Sequence, residues 1–271
     1  MNLKDKVVII TGASSGIGKA LAYEFALRGA NLVLGARQYV ILCEIAHDLE
    51  TRYGIKAIAV QCDVSHENDC ANLIKQAADT FGVIDVLVNN AGITMRALFK
   101  DLDLQILRNV MDVNFWGTVY CTKYAIAELL KSKGTVVGVS SIAGIKGLPS
   151  RTGYSASKFA MNGFLDALRT ENLKTGLNVM IVCPGFTTSN IRNVALDKNG
   201  NQQGESNLNE DKMMTAAEVA KQIADGVEKR KRNLVMTSQG KLTALIGKFF
   251  PALLDKLIYN VFAKEKDSLL K

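Results

Sequence analysis

Seven short runs rich in β-branched residues punctuate the chain, at 7–10, 32–34, 57–60, 86–88, 135–139, 179–182 and 234–236, with longer segments of helical periodicity between them. Most of these runs are apolar at successive positions rather than at every second one, so neither pleat face is left for water and both need cover. A parallel sheet sandwiched between helices meets that demand, and its strand–helix–strand connections are right-handed. The expected fold is α/β, a doubly wound seven-stranded parallel sheet with helices on both faces. Apolar spacing of three and four predicts helices over 16–28, 71–81, 106–130 and 156–173.

The regular alternation over 271 residues favours one catalytic domain, 1–240, followed by an extension, 241–271. Apolar content of 48% with 22% charge belongs to a globular chain rather than a disordered or fibrous one. The net charge of +7 is diffuse apart from Lys229-Arg230-Lys231-Arg232, which reads as a solvated helix end, and no nucleic-acid partner is expected. Five cysteines, odd in number and without a CxxC pair, read as reduced core residues. His47 and His66 assemble no metal cluster. The chain enters its first strand directly after Met1-Asn2-Leu3-Lys4-Asp5-Lys6, leaving no room for a signal peptide, so a cytoplasmic location is expected.

Two segments depart from the alternation. Between 187 and 214 the pattern fails, and the polar, glycine-rich run from Asp197 to Gly204 reads as a mobile loop, favoured as a substrate lid. From Lys241 onward, Leu242, Leu245, Ile246, Phe249, Phe250, Leu253, Leu254, Leu257, Ile258, Val261 and Phe262 form a helical stripe interrupted by Pro251, which predicts two amphipathic segments. Their apolar side can cover the substrate cleft, join subunits of a homodimer or homotetramer, or lie on a membrane surface.

Thr11-Gly12-Ala13-Ser14-Ser15-Gly16-Ile17-Gly18 directly follows the first strand and opens the first helix. Glycines there allow a tight turn and close backbone approach, so that amides at the helix N-terminus can face a dinucleotide pyrophosphate. Gly12, Ser14, Ser15, Gly16, Ile17 and Gly18 are the candidate contacts, and the fold is of Rossmann type. Arg37, at the end of the second strand, stands where an acidic residue would otherwise bind the ribose diol. Its guanidinium suits a 2′-phosphate, which favours NADP(H) over NAD(H), and Lys19 adds positive charge nearby. Tyr154 and Lys158 project from one helical face. A phenol titrates near ~10, and a fixed ammonium would pull it toward neutral pH, which fits proton transfer. Alone, such a pair is ordinarily a packing contact; the rest of the chain gives it weight.

With these residues in place the chain resembles the short-chain dehydrogenase/reductase family over nearly its full length. The resemblance is carried by the glycine loop, Asp63-Val64, Asn89-Asn90-Ala91-Gly92, Asn114, Ser140-Ser141, Tyr154/Lys158 and Pro184-Gly185, all in family order. It implies a catalytic group of Asn114, Ser141, Tyr154 and Lys158. Tyr154 would exchange a proton with the substrate oxygen, Ser141 would hydrogen-bond that oxygen, Lys158 would lower the tyrosine pKa and hold the nicotinamide ribose, and Asn114 would hold a water linking Lys158 to solvent. It also implies that Asp63 and Val64 flank the adenine and that Asn90, Ala91 and Gly92 pass beneath the cofactor. Pro184, Gly185, Thr187 and Ser189 would meet the carboxamide, although Phe186-Thr187-Thr188-Ser189 departs from the family pattern of an aliphatic residue and then threonine at 187 and 189.

The function implied is an NADP(H)-dependent oxidoreductase interconverting a carbonyl and an alcohol on an apolar small molecule. Two other readings stand beside it. One is a sensor or interaction protein that binds NADP(H) without turnover; the other is a peripheral membrane enzyme docked through its C-terminal extension.

Overall fold

The computed structural model describes residues 1–188, 191, 194–204, 213–264 and 268–270. Seven parallel strands form the main sheet: β1 (Val7–Thr11), β2 (Asn31–Ala36), β3 (Ala57–Gln61), β4 (Val86–Asn89), β5 (Thr135–Val139), β6 (Asn178–Cys183) and β9 (Asn233–Val235), in the order β3-β2-β1-β4-β5-β6-β9. Every residue of β1, β4 and β5 is buried, as runs apolar on both faces require. The doubly wound α/β sheet is thus confirmed.

Helices α1 (Gly16–Leu27), α2 (Tyr39–Tyr53) and α7 (Ala216–Glu228) cover one face, where Phe25, Leu42 and Ile223 meet Ile10 and Leu34. On the other face α3 (Glu67–Phe81), α5 (Gly117–Lys131) and α6 (Thr152–Glu171) pack Leu73, Leu129 and Leu165 against Ile9 and Val136. Burying one such leucine or phenylalanine side chain contributes about 2–3 kcal/mol. The strand order reverses between β1 and β4, and the carboxyl ends of these two strands open a crevice at that switch point.

The helix expected over 106–130 is interrupted. It divides into α4 (Leu104–Met111), a π-helical turn (Asp112–Trp116) and α5. Gly117 N–H reaches back to the Asp112 carbonyl, and the Thr118 hydroxyl donates to the Asn114 carbonyl at 3.0 Å. Helix α6 begins at Thr152, earlier than the apolar spacing from 156 indicated, because its first turn is polar.

Of segment 187–214, expected from sequence as a loop, residues 189–190, 192–193 and 205–212 lie outside the described residues. Among its described residues, β7 (Thr187–Thr188) pairs with β8 (Met214–Thr215), Leu196 bridges both Met95 and Gln202, and Asp197 accepts the amides of Asn199 and Asn201. The C-terminal stripe does form two helices, α8 (Ser238–Phe249) and α9 (Pro251–Ala263), with Pro251 in the first turn of α9, where its fixed φ suits a helix start. All five cysteines are free, no acid–histidine–cysteine group could hold a metal among the described residues, and none of the described helices is long and apolar enough to cross a membrane.

Candidate active site

The crevice is built first at its glycine floor. Gly12 has φ +66°, and a Cβ on it would lie 2.9 Å from Ala91 Cα. At Gly18 a Cβ would stand 2.1 Å from the Gly12 carbonyl oxygen, so the loop folds onto its own helix only where no side chain intervenes. The ends of β1 and β4 are then stitched together. The amides of Asn90 and Ala91 each donate to Thr11 Oγ1 at 3.0 Å, while Asn90 Nδ2 donates to the Thr11 carbonyl at 2.9 Å. Asn90 thus braces the loop through its side chain. Thr11, unremarked in the sequence beyond its place in the loop, is the other half of that brace.

The N-terminus of α1 carries no side-chain cap and no acid in its first turn. Its orphan amides and the positive end of the helix dipole face the crevice, a donor set that fits a pyrophosphate. Arg37 is exposed just past β2, close enough to Asp63 to favour its carboxylate electrostatically. Burial pushes the Asp63 carboxyl up, but bonds from the Ser65 hydroxyl and amide, with the Arg37 charge, hold it below the usual range. Val64 packs against Gly117, where a Cβ would approach it to 2.8 Å. The residues present therefore fit a dinucleotide along α1, β2 and β3.

The reactive end lies beyond β4 and β5. Helix α6 aims Lys158 at the end of β5, where its ammonium donates to the Val139 carbonyl at 2.8 Å and sits 5.8 Å from the centre of the half-buried Tyr154 ring. Ser141 follows β5 as the cap of a 3-10 turn (Ile142–Gly144), its hydroxyl accepting the Ala143 amide at 3.1 Å. Asn114, on the π turn, donates to the Ile93 carbonyl and to Ser157 Oγ, both at 2.9 Å, and accepts the Ile93 amide at 2.8 Å. Gly92 sits between the two groups: a Cβ there would lie 3.2 Å from Asn114 Oδ1 and 3.5 Å from Lys158 Nζ.

Burial outweighs the downward pull expected at the phenol: it raises Tyr154 above its ordinary value, against the opposing Ser141 hydrogen bond and Arg151 charge. Burial likewise pushes Lys158 down to about 8, since its ammonium faces the Val139 carbonyl rather than an anion. Cys183, beside Lys158, is kept a thiol by burial, which pushes it up to about 11.

Asn162, one turn beyond Lys158 on α6, was not read from the sequence as part of the site. Its amide donates to the Gly144 carbonyl at 2.9 Å and fixes the turn that bears Ser141. The signal was present in the spacing: 154, 158 and 162 continue one helical face. Pro184 accepts the Ile142 amide, Gly185 lies against Thr237, and Thr187 donates to the Gly185 carbonyl at 3.2 Å, so this loop joins the same rim. Ser189 lies outside the described residues.

Residues 6–200 match the short chain dehydrogenase family. Among curated proteins, the chain is similar to the 11-beta-hydroxysteroid dehydrogenase A of Arachis hypogaea, 38% identical over 95% of this chain and 76% of that protein. It is also similar to the dehydrogenase/reductase SDR family member 7B of Mus musculus, 32% identical over 98% of this chain and 84% of the relative. Of solved structures, an SDR from Burkholderia phymatum in complex with NAD superposes with a TM-score of 0.82 at 23% identity, covering 93% of this chain and 96% of that one. An alcohol dehydrogenase from Thermococcus sibiricus complexed with 5-hydroxy-NADP gives 0.74 at 24% identity, covering 85% and 95%. These two likenesses carry the fold, and the family match carries more: the chain belongs to the short-chain dehydrogenases/reductases, a family of oxidoreductases.

Proposed function

We propose that the chain is an NADP(H)-dependent oxidoreductase that interconverts a carbonyl and a secondary or primary alcohol on an apolar substrate, with Tyr154 as general acid and base. The observation that carries this reading is the convergence of Ser141, Tyr154 and Lys158 at the carboxyl end of β5, across the crevice from the uncapped amides of α1. When bound, the nicotinamide supplies a hydride to the carbonyl carbon or takes one from the alcohol carbon.

The chain's own residues handle the oxygen. In reduction Tyr154 gives its phenolic proton to the carbonyl oxygen as that atom gains negative charge, and Ser141 donates a hydrogen bond to the same atom. A phenol raised above its ordinary value by burial is protonated at neutral pH, which is the form that donates. Lys158 offers its remaining N–H donors to the nicotinamide ribose and supplies the charge that steadies the phenolate left behind. Asn114 holds Ile93 and Ser157, and the spare lone pair of its Oδ1, beside Gly92, serves a water relay toward Lys158. Asp63 and Val64 border the adenine, Ala91 and Gly92 pass beneath the cofactor, and the rim from Pro184 to Thr187 takes the carboxamide.

The preference for NADP(H) is supported by the exposed Arg37 guanidinium at the end of β2, which offers bidentate donors to a 2′-phosphate. An apolar substrate of steroid-like shape is supported by the name of the Arachis hypogaea relative and by the apolar cluster of Met95, Ala97, Leu102, Ile106 and Val110 against which Tyr154 packs. The test is NADPH consumption with a panel of apolar ketones and aldehydes. Tyr154→Phe should lower kcat by at least about a hundredfold while leaving NADPH affinity intact, because proton transfer contributes on that order. Unchanged turnover in the variant would refute the assignment.

A further inference from the structure

Nothing in this chemistry uses the outward surface of α8 and α9. Helix α8 turns Gly240 and Gly247 inward: a Cβ at Gly240 would lie 2.5 Å from Ile142 Cδ1, and one at Gly247 3.1 Å from Leu254 Cδ2. Its opposite side presents Leu242, Leu245 and Phe249, each more than half exposed. Helix α9 buries Leu254 and Phe262 yet leaves Leu253 and Val261 as exposed as the leucines of α8. Helices that face only water carry their polar residues there.

The hairpin is fastened in place. Lys146 pairs with Asp255, and the Arg151 guanidinium lies 5.4 Å from the centre of the Phe262 ring. Both anchors come from the segment that links Ser141 to α6. The apolar surface is thereby held next to the catalytic cleft.

Charge selects what covers it. Within α8, α9 and the residue that follows stand Lys241, Lys248, Lys256 and Lys264 and a single acid, Asp255, which is committed to Lys146. None of those four lysines is ion-paired among the described residues, and Lys248 lies 5.7 Å from the centre of the exposed Phe249 ring. A second copy seated on this face through the same two helices would set these lysines against their counterparts, with Asp255 the one acid that α8 and α9 supply. An anionic bilayer answers both features, since leucine and phenylalanine reach the acyl boundary while the lysine heads stay with the phosphates. We propose that α8 and α9 form an in-plane docking face for an anionic lipid surface, which sets the mouth of the cleft against the membrane.

The experiment is co-sedimentation of the full chain with vesicles of phosphatidylcholine alone or with added phosphatidylserine, at low and high salt. Wild type should bind the serine-containing vesicles about tenfold more tightly, with the difference erased by salt. Phe249→Glu with Leu253→Glu should reduce binding about tenfold or more, and Lys241→Glu with Lys248→Glu should remove the preference for serine lipid while sparing neutral binding. Circular dichroism melting confirms that each variant is folded. Three outcomes overturn the proposal: wild type stays in the supernatant with both vesicles; the Phe249→Glu, Leu253→Glu variant binds as wild type does; or sedimentation velocity finds a dimer that this same variant dissociates, which would assign the face to a second copy.

Discussion

Replacing Lys158 with methionine should stabilise the free protein at neutral pH, by an amount that shrinks as the pH rises. The Lys158 ammonium is buried with one acceptor, the Val139 carbonyl, and its pKa is pushed from 10.5 to about 8. Because the folded value is depressed, stability attributable to this group is complete above 10.5 and is lost as pH falls through about 8. At about 1.4 kcal/mol per tenfold, the buried charge costs about 3 kcal/mol at pH 7, about 2 at pH 9 and about 1 at pH 10. Methionine removes that cost but also the bond to Val139, worth about 1 kcal/mol, so the net gain at pH 7 is about 2 kcal/mol. The assay is urea unfolding of both proteins at pH 7, 8 and 9, and the quantity read is the difference between them, which cancels the other titrating groups. It should fall by about 1 kcal/mol from pH 7 to 9. Parallel stability curves would refute the claim that Lys158 is held against its own charge, and with it the view that this site sacrifices stability to keep an ammonium in reserve.

Three further outcomes are expected. Gly18→Ala sets a methyl 2.1 Å from the Gly12 carbonyl and should cost about 1–3 kcal/mol and abolish nucleotide binding, whereas Gly163→Ala, with nothing within 4 Å, should raise the melting temperature; calorimetry and fluorescence titration read both. Arg37→Ala should weaken NADPH binding by about ten- to a hundredfold and leave NADH untouched, and an equal loss for both would remove the 2′-phosphate contact. Asn162→Ala frees the Gly144 carbonyl and loosens the Ser141 turn, so kcat should drop about tenfold, cofactor affinity should hold, and the tyrosine limb of the pH profile should move up as the Ser141 bond is lost. Asn162→Asp, which cannot donate to that carbonyl, should not restore it.

The sheet was legible because its strands are buried on both faces, a demand written into consecutive residues such as Val7 to Ile10. The glycine floor was legible because strand, loop and helix adjoin in sequence. What escaped was set by contacts between distant segments. Burial, unreadable from the spacing of Tyr154 and Lys158, decides the sign of the tyrosine shift. Asn162 shares the helical face of Tyr154 and Lys158, but the carbonyl through which it acts lies eighteen residues away and is not marked in the sequence. The ladders tying Thr187 and Leu196 to their neighbours are one or two residues long, too short to leave a periodic trace.

The π turn at Asp112–Trp116 has a consequence for how one segment serves both the site and the sheet. It makes the segment from Leu104 to Lys131 two helices phased by one surplus residue, and the surplus is what brings Asn114 inward while Cys121 and Leu129 still face the sheet. Deleting one residue of the turn would remove the bulge and leave an ordinary helix with Cys121 and Leu129 still on the sheet, but without the widened turn that brings Asn114 inward. The extra residue is therefore spent on the site rather than on the packing of the helix.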